Sequence, residues 1–431
     1  MTEFQITLIG LLFLFVLLLM GVPVAFSMFL VGFFGLISLQ GFDRALVLVG
    51  STSYHAIANW LFVVIPMFVL MGEFAGESGI VADIFAFFRA WVGRTSGSLG
   101  IVTILTSTLF SFATGSSLAA TAVIGKLALP EMKKSNYEEK LSLGCVAAGG
   151  TLGNLIPPSI SLIIFGIITD VAIRDLLIGG IVPGLLAALM FIFWITITVI
   201  LKPKSAPRMP PSTWKEKLLT LRKTWGMTLL FFVILGSIYT GIATVSEAAT
   251  VGCFVTFLIA LLMRKLTLVK LQQSLLNTGS VTSMVFLLLV GVTIFSRFLV
   301  FSGFTNELVR FATESTISPF LIISAILFTF LLLGCIIDPA SLILLTVPIF
   351  FPIVVNLGFH PVWFGIMAVV MTQIGFLTPP VGMCVYVLHG VSGVPLEKCF
   401  ASAIYPLIMW SIVVVLLVVF PSIVTWLPNL M

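Results

Sequence analysis

The chain has 431 residues, of which 60% are hydrophobic and 9% charged, with a formal net charge of +5. A mean hydropathy of +1.24 excludes a soluble globular domain, and apolar runs of roughly 17–25 residues recurring along the chain mark a polytopic membrane protein with no room for a large aqueous domain. The positive balance needs no nucleic-acid partner, because the basic residues sort by membrane side; the chain carries no phosphate-binding loop motif, no C-x-x-C and no H-E-x-x-H, so neither ATP hydrolysis by that route, nor a disulfide framework, nor a metal enzyme is expected.

The N-terminus, MTEFQI, has no basic region ahead of its apolar run, so the first helix is expected to be retained rather than cleaved. Residues 4–40 break near Gly21 and Pro23 and read either as one long tilted helix or as two short ones. Residues 50–72 form the next expected span. Residues 77–92 (ESGIVADIFAFFRAWV) place charges on an aromatic background, the pattern of an amphipathic interfacial helix.

Residues 98–130 hold two apolar runs that meet at Thr114, Gly115, Ser116 and Ser117. Each is shorter than the roughly 20 residues a crossing needs, so a re-entrant hairpin with a polar tip is expected. Gly115, Ser116 and Ser117 also read as close-packing residues, since small side chains let membrane helices approach.

The organising stretch is residues 149–161, GGTLGNLIPPSIS, inside the apolar segment 140–170. Pro157 and Pro158 remove two backbone donors and disfavour helix just before them. A helix broken there frees carbonyls on one half and N–H groups on the other. In hydrocarbon such groups survive only buried in protein or lining a polar cavity.

A span at 176–201 follows, then residues 202–224, the one long polar stretch, with seven basic residues against Glu216. It reads as a cytoplasmic linker by the positive-inside rule. The plan then repeats. Residues 225–263 break at Gly241, a span covers 275–300, and a charged interfacial segment covers 302–314. A second hairpin (317–352) carries Asp338, Pro339, Ala340 and Ser341 at its tip. A second broken segment (361–390) contains TQIGFLTPPVG, and a final span covers 400–428. An offset of 222 takes Pro157, Pro158, Gly153 and Pro130 onto Pro379, Pro380, Gly375 and Pro352. A near-constant offset means two structural repeats, 1–201 and 225–431. Interrupted apolar segments at matching places in two halves point to a transporter binding site.

With residues 4–40 and 225–263 each taken as a pair of short crossings, every repeat has an odd number of crossings and the halves are inverted. All basic residues except Arg44, Arg174, Arg297 and Arg310 then fall on the linker side, and both termini are extracytoplasmic. The expected fold is therefore all-α and polytopic, with two inverted repeats, each holding a re-entrant hairpin and a broken transmembrane helix. Free carbonyls and Ser/Thr hydroxyls are hard oxygen ligands suited to a small cation such as sodium. Half-helix N-termini suit a carboxylate. The identity of the coupling ion stays open at this level. Asp338 is the acid at a tip and reads equally as an N-cap for the helix after Pro339. Glu247 is the other notable acid expected to be buried, with a structural hydrogen-bonding role.

The pattern G-x-L-x-N-L-I-P-P-S, the G-S-S hairpin tip, the stretch GIATVSEAATVG at 241–252 and the downstream T-P-P-V-G resemble, over essentially the whole chain, the large membrane subunit of tripartite ATP-independent periplasmic (TRAP) transporters. The resemblance implies a bacterial inner-membrane transporter, not an enzyme. It implies an elevator mechanism, in which hairpins and broken helices slide as a transport domain against a scaffold, with 77–92 and 302–314 as arms. It implies sodium as coupling ion and no other cofactor. A C4-dicarboxylate, sialic acid or similar anion would be the substrate. The partners would be a small four-helix membrane subunit on a separate chain and a soluble periplasmic binding protein.

Carried over residue by residue, one sodium site is expected between Ser111, Ser116 and Ser117 of the first hairpin and Gly153, Asn154 and the Ile156 carbonyl of the first break. Its counterpart is expected between Gly334 and the second break at Gly375 and Thr378. Asn154, Ser159, Asp338 and Ser341 are the expected substrate-cavity residues. A stand-alone sodium/dicarboxylate symporter is the alternative reading, and a passive channel a weaker one.

Overall fold

Proline and positive-φ glycine part many of the helices of this apolar chain, although Pro130, Pro183, Pro348, Pro352 and Pro406 sit inside helices. The computed structural model describes residues 3–430, and the described residues are helical throughout, with no strand. Helices α1 (Glu3–Leu19) and α2 (Val24–Gln40) are separate, parted by Gly21 at φ 79° and by Pro23. Helix α3 (Phe42–Ile57) ends before Asn59, whose side chain accepts a hydrogen bond from the Leu61 N–H at 3.0 Å and starts a new turn that runs into α4 (Val64–Ser78). This corrects the span expected at 50–72. Residues up to 57 belong to α3, and the helix long enough to cross is Trp60–Ser78, because the Asn59 cap restarts the helix there.

Helix α5 (Ile80–Val92) follows Gly79. Helices α6 (Ser98–Thr114) and α7 (Ser117–Lys134) form the first hairpin, and α8 (Glu139–Thr151) and α9 (Ile160–Thr169) are the halves of the first broken helix. Helix α10 (Ile173–Leu201) completes the half. The connecting stretch itself contains a helix, α11 (Trp214–Lys223).

The second half opens with α12 (Trp225–Phe231) and α13 (Ser237–Tyr239), joined through a π-turn, then α14 (Val245–Leu262). Helix α15 (Leu268–Phe301) is one unbroken rod of 34 residues where the first half has α3 and α4. Then come α16 (Phe304–Glu314), the hairpin α17 (Pro319–Gly334) and α18 (Pro339–Asn356), and the broken pair α19 (Pro361–Gly375) and α20 (Met383–Ser392). Helix α21 (Leu396–Val419) and the short α22 (Ser422–Thr425) end the described chain.

Six helices among the described residues are long and apolar enough to cross a bilayer, α10, α14, α15, α18, α21 and Trp60–Ser78. The halves interleave instead of sitting side by side. Helix α2 packs on α15, and α14 packs on α4. Helix α9 packs on α18, and α20 on α7. The α2–α15 contact is backbone-close because a Cβ on Gly32 would stand 2.7 Å from the Phe295 nitrogen, and one on Gly291 2.4 Å from the Ala25 carbonyl oxygen. Small residues of this kind let membrane helices gain dispersion contacts where lipid offers no hydrophobic drive.

Glu247 has the expected structural hydrogen-bonding role but not the expected burial. It is exposed, and its carboxylate accepts from the Thr244 N–H at 2.8 Å while the Thr244 hydroxyl accepts from the Glu247 N–H at 3.3 Å. The stretch TVSE is a capping box that starts α14, which needs a carboxylate at the helix mouth and not in the core.

Candidate functional site at the paired helix breaks

At the first break, α8 ends in a short 3-10 turn at Leu152–Asn154, and the chain bends through 155–158 to Ser159, whose hydroxyl accepts from the Leu162 N–H at 3.3 Å and starts α9. The Pro157–Pro158 peptide is cis, as is Pro379–Pro380. Gly115 turns the first hairpin at φ 58°, and a Cβ there would stand 2.4 Å from the Pro158 carbonyl oxygen. A Cβ on Gly153 would stand 2.7 Å from the Ser116 carbonyl oxygen. Hairpin tip and helix break therefore meet backbone to backbone, and glycine at both positions is what lets them meet.

The side chains around this junction are polar and buried. Asn154 donates to the Ser161 hydroxyl at 2.8 Å, and Ser159 donates to the Asn154 carbonyl. Ser116 caps α7 through the Ala119 N–H at 3.4 Å, and Ser111 donates to the Ser107 carbonyl at 2.7 Å. On the same helix, the hydroxyls of Ser107 and Thr114 are buried and make no hydrogen bond. Ser98 and Thr106 on this helix are likewise without a partner. A buried hydroxyl left so is costly; Ser107 faces Gly149, and Thr114 alone of the four stands at the hairpin tip, where its oxygen is an available acceptor. The Ile156 side chain packs toward α10, where a Cβ on Gly184 would meet it at 2.5 Å.

At the second break, too, a glycine meets hairpin backbone, here at the end of α17. A Cβ on Gly375 would stand 2.4 Å from the Gly334 carbonyl carbon. Thr378 donates its N–H to the Gly375 carbonyl at 3.0 Å and its hydroxyl to the Ile374 carbonyl at 2.7 Å. Gly382, at φ 58°, donates to the Cys335 carbonyl at 3.3 Å, which ties the break to the hairpin turn. The environments differ: residues 151–159 are all buried, whereas Pro379 and Pro380 are exposed.

Asp338 caps α18. Its carboxylate accepts from the Ser341 N–H at 3.0 Å and from the Ser341 hydroxyl. The offset of 222 maps Ser116 onto Asp338, so the two hairpins are capped at equivalent positions, one by a hydroxyl and one by a carboxylate. Asp338 and Ser341 line a cavity of about 430 Å³ with Gly21, Pro23, Met284 and Met383. Asn154 and Ser159 are not among its walls. The structure thus brings Ser116 against Gly153 and Gly334 against Gly375, while Ser117 turns to Gln373 and Ser111 to its own helix.

Sequence reasoning missed the polar links across the halves. Ser117 donates to the Gln373 side-chain oxygen at 2.7 Å, and Gln373 in turn donates to the Thr372 hydroxyl at 3.0 Å, with all three residues buried. The Trp410 indole donates to the Thr151 hydroxyl at 2.8 Å. The same offset maps Thr151 onto Gln373, which is the signal that could have found them. Arg174, at the start of α10, donates to the Tyr239 carbonyl at 3.1 Å beside a cavity of about 510 Å³ that Asn59 and Ser246 also line. No group of three or more His, Cys, Asp or Glu side chains fit to hold a metal is present among the described residues.

Comparison with known proteins agrees with this architecture. The profile of the tripartite ATP-independent periplasmic transporter family, DctM component, matches residues 11–423. The chain is 34% identical, over 86% of its length and 87% of the relative's, to a C4-dicarboxylate TRAP transporter large permease of Pseudomonas aeruginosa. It is 32% identical, over 96% of both chains, to a sialic acid TRAP transporter large permease of Vibrio cholerae. A 2,3-diketo-L-gulonate TRAP large permease of Escherichia coli is 27% identical over 92% of each. Among solved structures, the YdaH transporter of Alcanivorax borkumensis shares the fold at a TM-score of 0.62 and 13% identity, over 90% of this chain and 91% of that one. The duplicated hairpin-and-break architecture and these matches place the chain in the DctM family: it is a large permease subunit of a tripartite ATP-independent periplasmic transporter.

Proposed function

We propose that this subunit imports an organic acid anion together with sodium across the bacterial inner membrane, with both termini in the periplasm. The observation that carries the reading is that each break meets a hairpin tip backbone to backbone, Gly153 against Ser116 at the start of α7 and Gly375 against Gly334 at the end of α17. At each, helix ends that hydrocarbon cannot solvate converge with hydroxyl or carbonyl oxygens. Ser111, Ser116, Ser117, Gly153, Asn154 and the Ile156 carbonyl form the first sodium site in this reading. Gly334, Gly375 and Thr378 form the second. The unpaired hydroxyl of Thr114 at the hairpin tip supports the first as a place that favours a cation.

In this reading the anion sits near Asn154 and Ser159 or near Asp338 and Ser341, and is a C4-dicarboxylate, a sialic acid or a related sugar acid, the substrates of the relatives. Residues 1–201 and 225–431 are the inverted repeats. The hairpins and broken helices move as a transport domain against a scaffold of α2, α4, α14 and α15, with α5 and α16 as arms. A small four-helix subunit braces the scaffold, and a soluble periplasmic protein delivers the anion.

The test is uptake of labelled organic acids into proteoliposomes holding this chain and its small subunit, with and without an inward sodium gradient and the binding protein. Uptake that requires both supports the reading. Uptake with sodium alone assigns a stand-alone symporter, and uptake indifferent to sodium removes both ion sites.

A further inference from the structure

The helix between the two halves carries a surface that the described chain leaves uncovered. Helix α11 has no buried residue. At about 3.6 residues per turn, Trp214, Leu218 and Leu221 share one face, and they are exposed by 72%, 62% and 47%. The stripe continues toward Trp225, also exposed. Basic residues border it on both sides, Lys217 on one and Lys215 with Arg222 on the other.

The helix is held in place by its neighbours. It packs on α5, and the Lys217 ammonium lies 5.6 Å from the ring centre of Trp91 on α5 and 5.0 Å from that of Trp214. Its one acid, Glu216, is spent on the N-cap, accepting from the Thr213 N–H at 2.8 Å. Lys223 faces Asp83 on α5. Neither Lys215 nor Arg222 has an acidic partner among the described residues. The corresponding arm of the second half, α16, is different: its Arg310 is paired with Glu307 at 2.9 Å and reaches Glu314 at 4.0 Å.

An exposed apolar stripe between two basic rims is the pattern that seats a helix in a headgroup layer, with apolar side chains in the acyl boundary and cations at the phosphates. We propose that α11, braced by α5, docks on anionic phospholipid and fixes this end of α5 to the membrane surface. The occupant is a lipid surface and not a protein groove-filler, because the charge complementarity is to a plane of phosphates on both sides of the stripe. The proposal shares with the transporter reading only that the chain lies in a bilayer.

The experiment uses the chain with its small subunit in nanodiscs whose phosphatidylglycerol or phosphatidylcholine carries brominated acyl chains at equal mole fraction. The Trp214 emission is taken as the difference between the natural protein and Trp214→Phe. Quenching at least about threefold stronger by brominated phosphatidylglycerol is expected, falling to parity in Lys215→Gln/Lys217→Gln/Arg222→Gln. Equal quenching by the two lipids in the natural protein overturns the proposal, as does no quenching by either, or selectivity that survives the triple substitution. Quenching that emerges only when the small subunit is removed assigns the stripe to that protein instead and overturns the lipid reading. Transport is not measured, so failure here leaves the proposed import standing.

Discussion

The Ser117 hydroxyl on α7 donates to the side-chain oxygen of Gln373 on α19, 2.7 Å away and 256 positions along the chain. Both residues are buried, so the bond ties the tip of the first hairpin to the helix that ends at the second break.

Removing one partner of that bond leaves the other unsatisfied in the core. Ser117→Ala is expected to lower stability by about 1–3 kcal/mol, read as a drop in the unfolding midpoint of the detergent-purified subunit. In a double-mutant cycle with Gln373→Met, the two losses should be less than additive. Additive losses would show that the bond contributes nothing.

At the second junction the space is set by backbone. Gly375→Ala drives a methyl to 2.4 Å from the Gly334 carbonyl carbon and is expected to cost about 1–3 kcal/mol or more in strain, with uptake lost. Gly390→Ala on α20 meets nothing within 4 Å, and is expected to be neutral or slightly stabilising, because alanine is the better helix former. Equal effects at the two glycines would refute the close approach.

Thr378→Val keeps shape and removes one oxygen. The sodium concentration for half-maximal uptake is expected to rise roughly fivefold, equivalent to about 1 kcal/mol, with normal expression. Unchanged sodium activation excludes Thr378 from the ion site.

Asp338 has two roles that substitution separates. Asp338→Asn keeps an N-cap acceptor and is expected to unfold like the natural protein. Asp338→Ala is expected to lose about 1 kcal/mol. Uptake that survives in Asp338→Asn leaves only the cap; uptake lost in both variants with stability kept in the first identifies the charge as necessary.

Tyr137 closes the cytoplasmic end of the first hairpin in the proposed orientation, where its hydroxyl accepts from the Leu99 N–H at 3.1 Å. Burial pushes this phenol above its ordinary value, and the hydrogen bond from Leu99 offsets part of that rise. A raised value in the folded state means a stability contribution that is complete below about pH 10 and lost as pH climbs through the folded value. Tyr137→Phe is expected to cost about 1–2 kcal/mol at neutral pH and to lose that alkaline component in pH-dependent unfolding. A variant with the same alkaline profile as the natural protein would contradict this.

Much of the fold was legible because its cues are local. A proline pair withdraws two donors whatever surrounds it, so Pro157–Pro158 and Pro379–Pro380 marked both breaks. The capping potential of TVSE is equally local, yet Glu247 was read as buried because an apolar neighbourhood in sequence does not say which side of a helix mouth a carboxylate occupies. The span expected at 50–72 fails for a related reason: an averaging window merges the polar stretch STSYHAIAN with the apolar run after it, whereas α3 ends at Ile57 and the Asn59 cap starts a new helix.

The sequence by itself determined that this chain is a duplicated, all-helical membrane protein with two interrupted helices, since helix formation, donor loss and apolar length act within a few residues. Only the tertiary structure decided which polar groups meet. Ser117 finds Gln373, Thr151 finds Trp410, and Arg174 finds the Tyr239 carbonyl. Tertiary packing also buried the first break and left Pro379 and Pro380 exposed. The physical reason is that a helix face looks equally apolar whether it meets lipid or protein. The partner of a buried hydroxyl is therefore chosen by packing across the halves and not by the residues beside it in the chain.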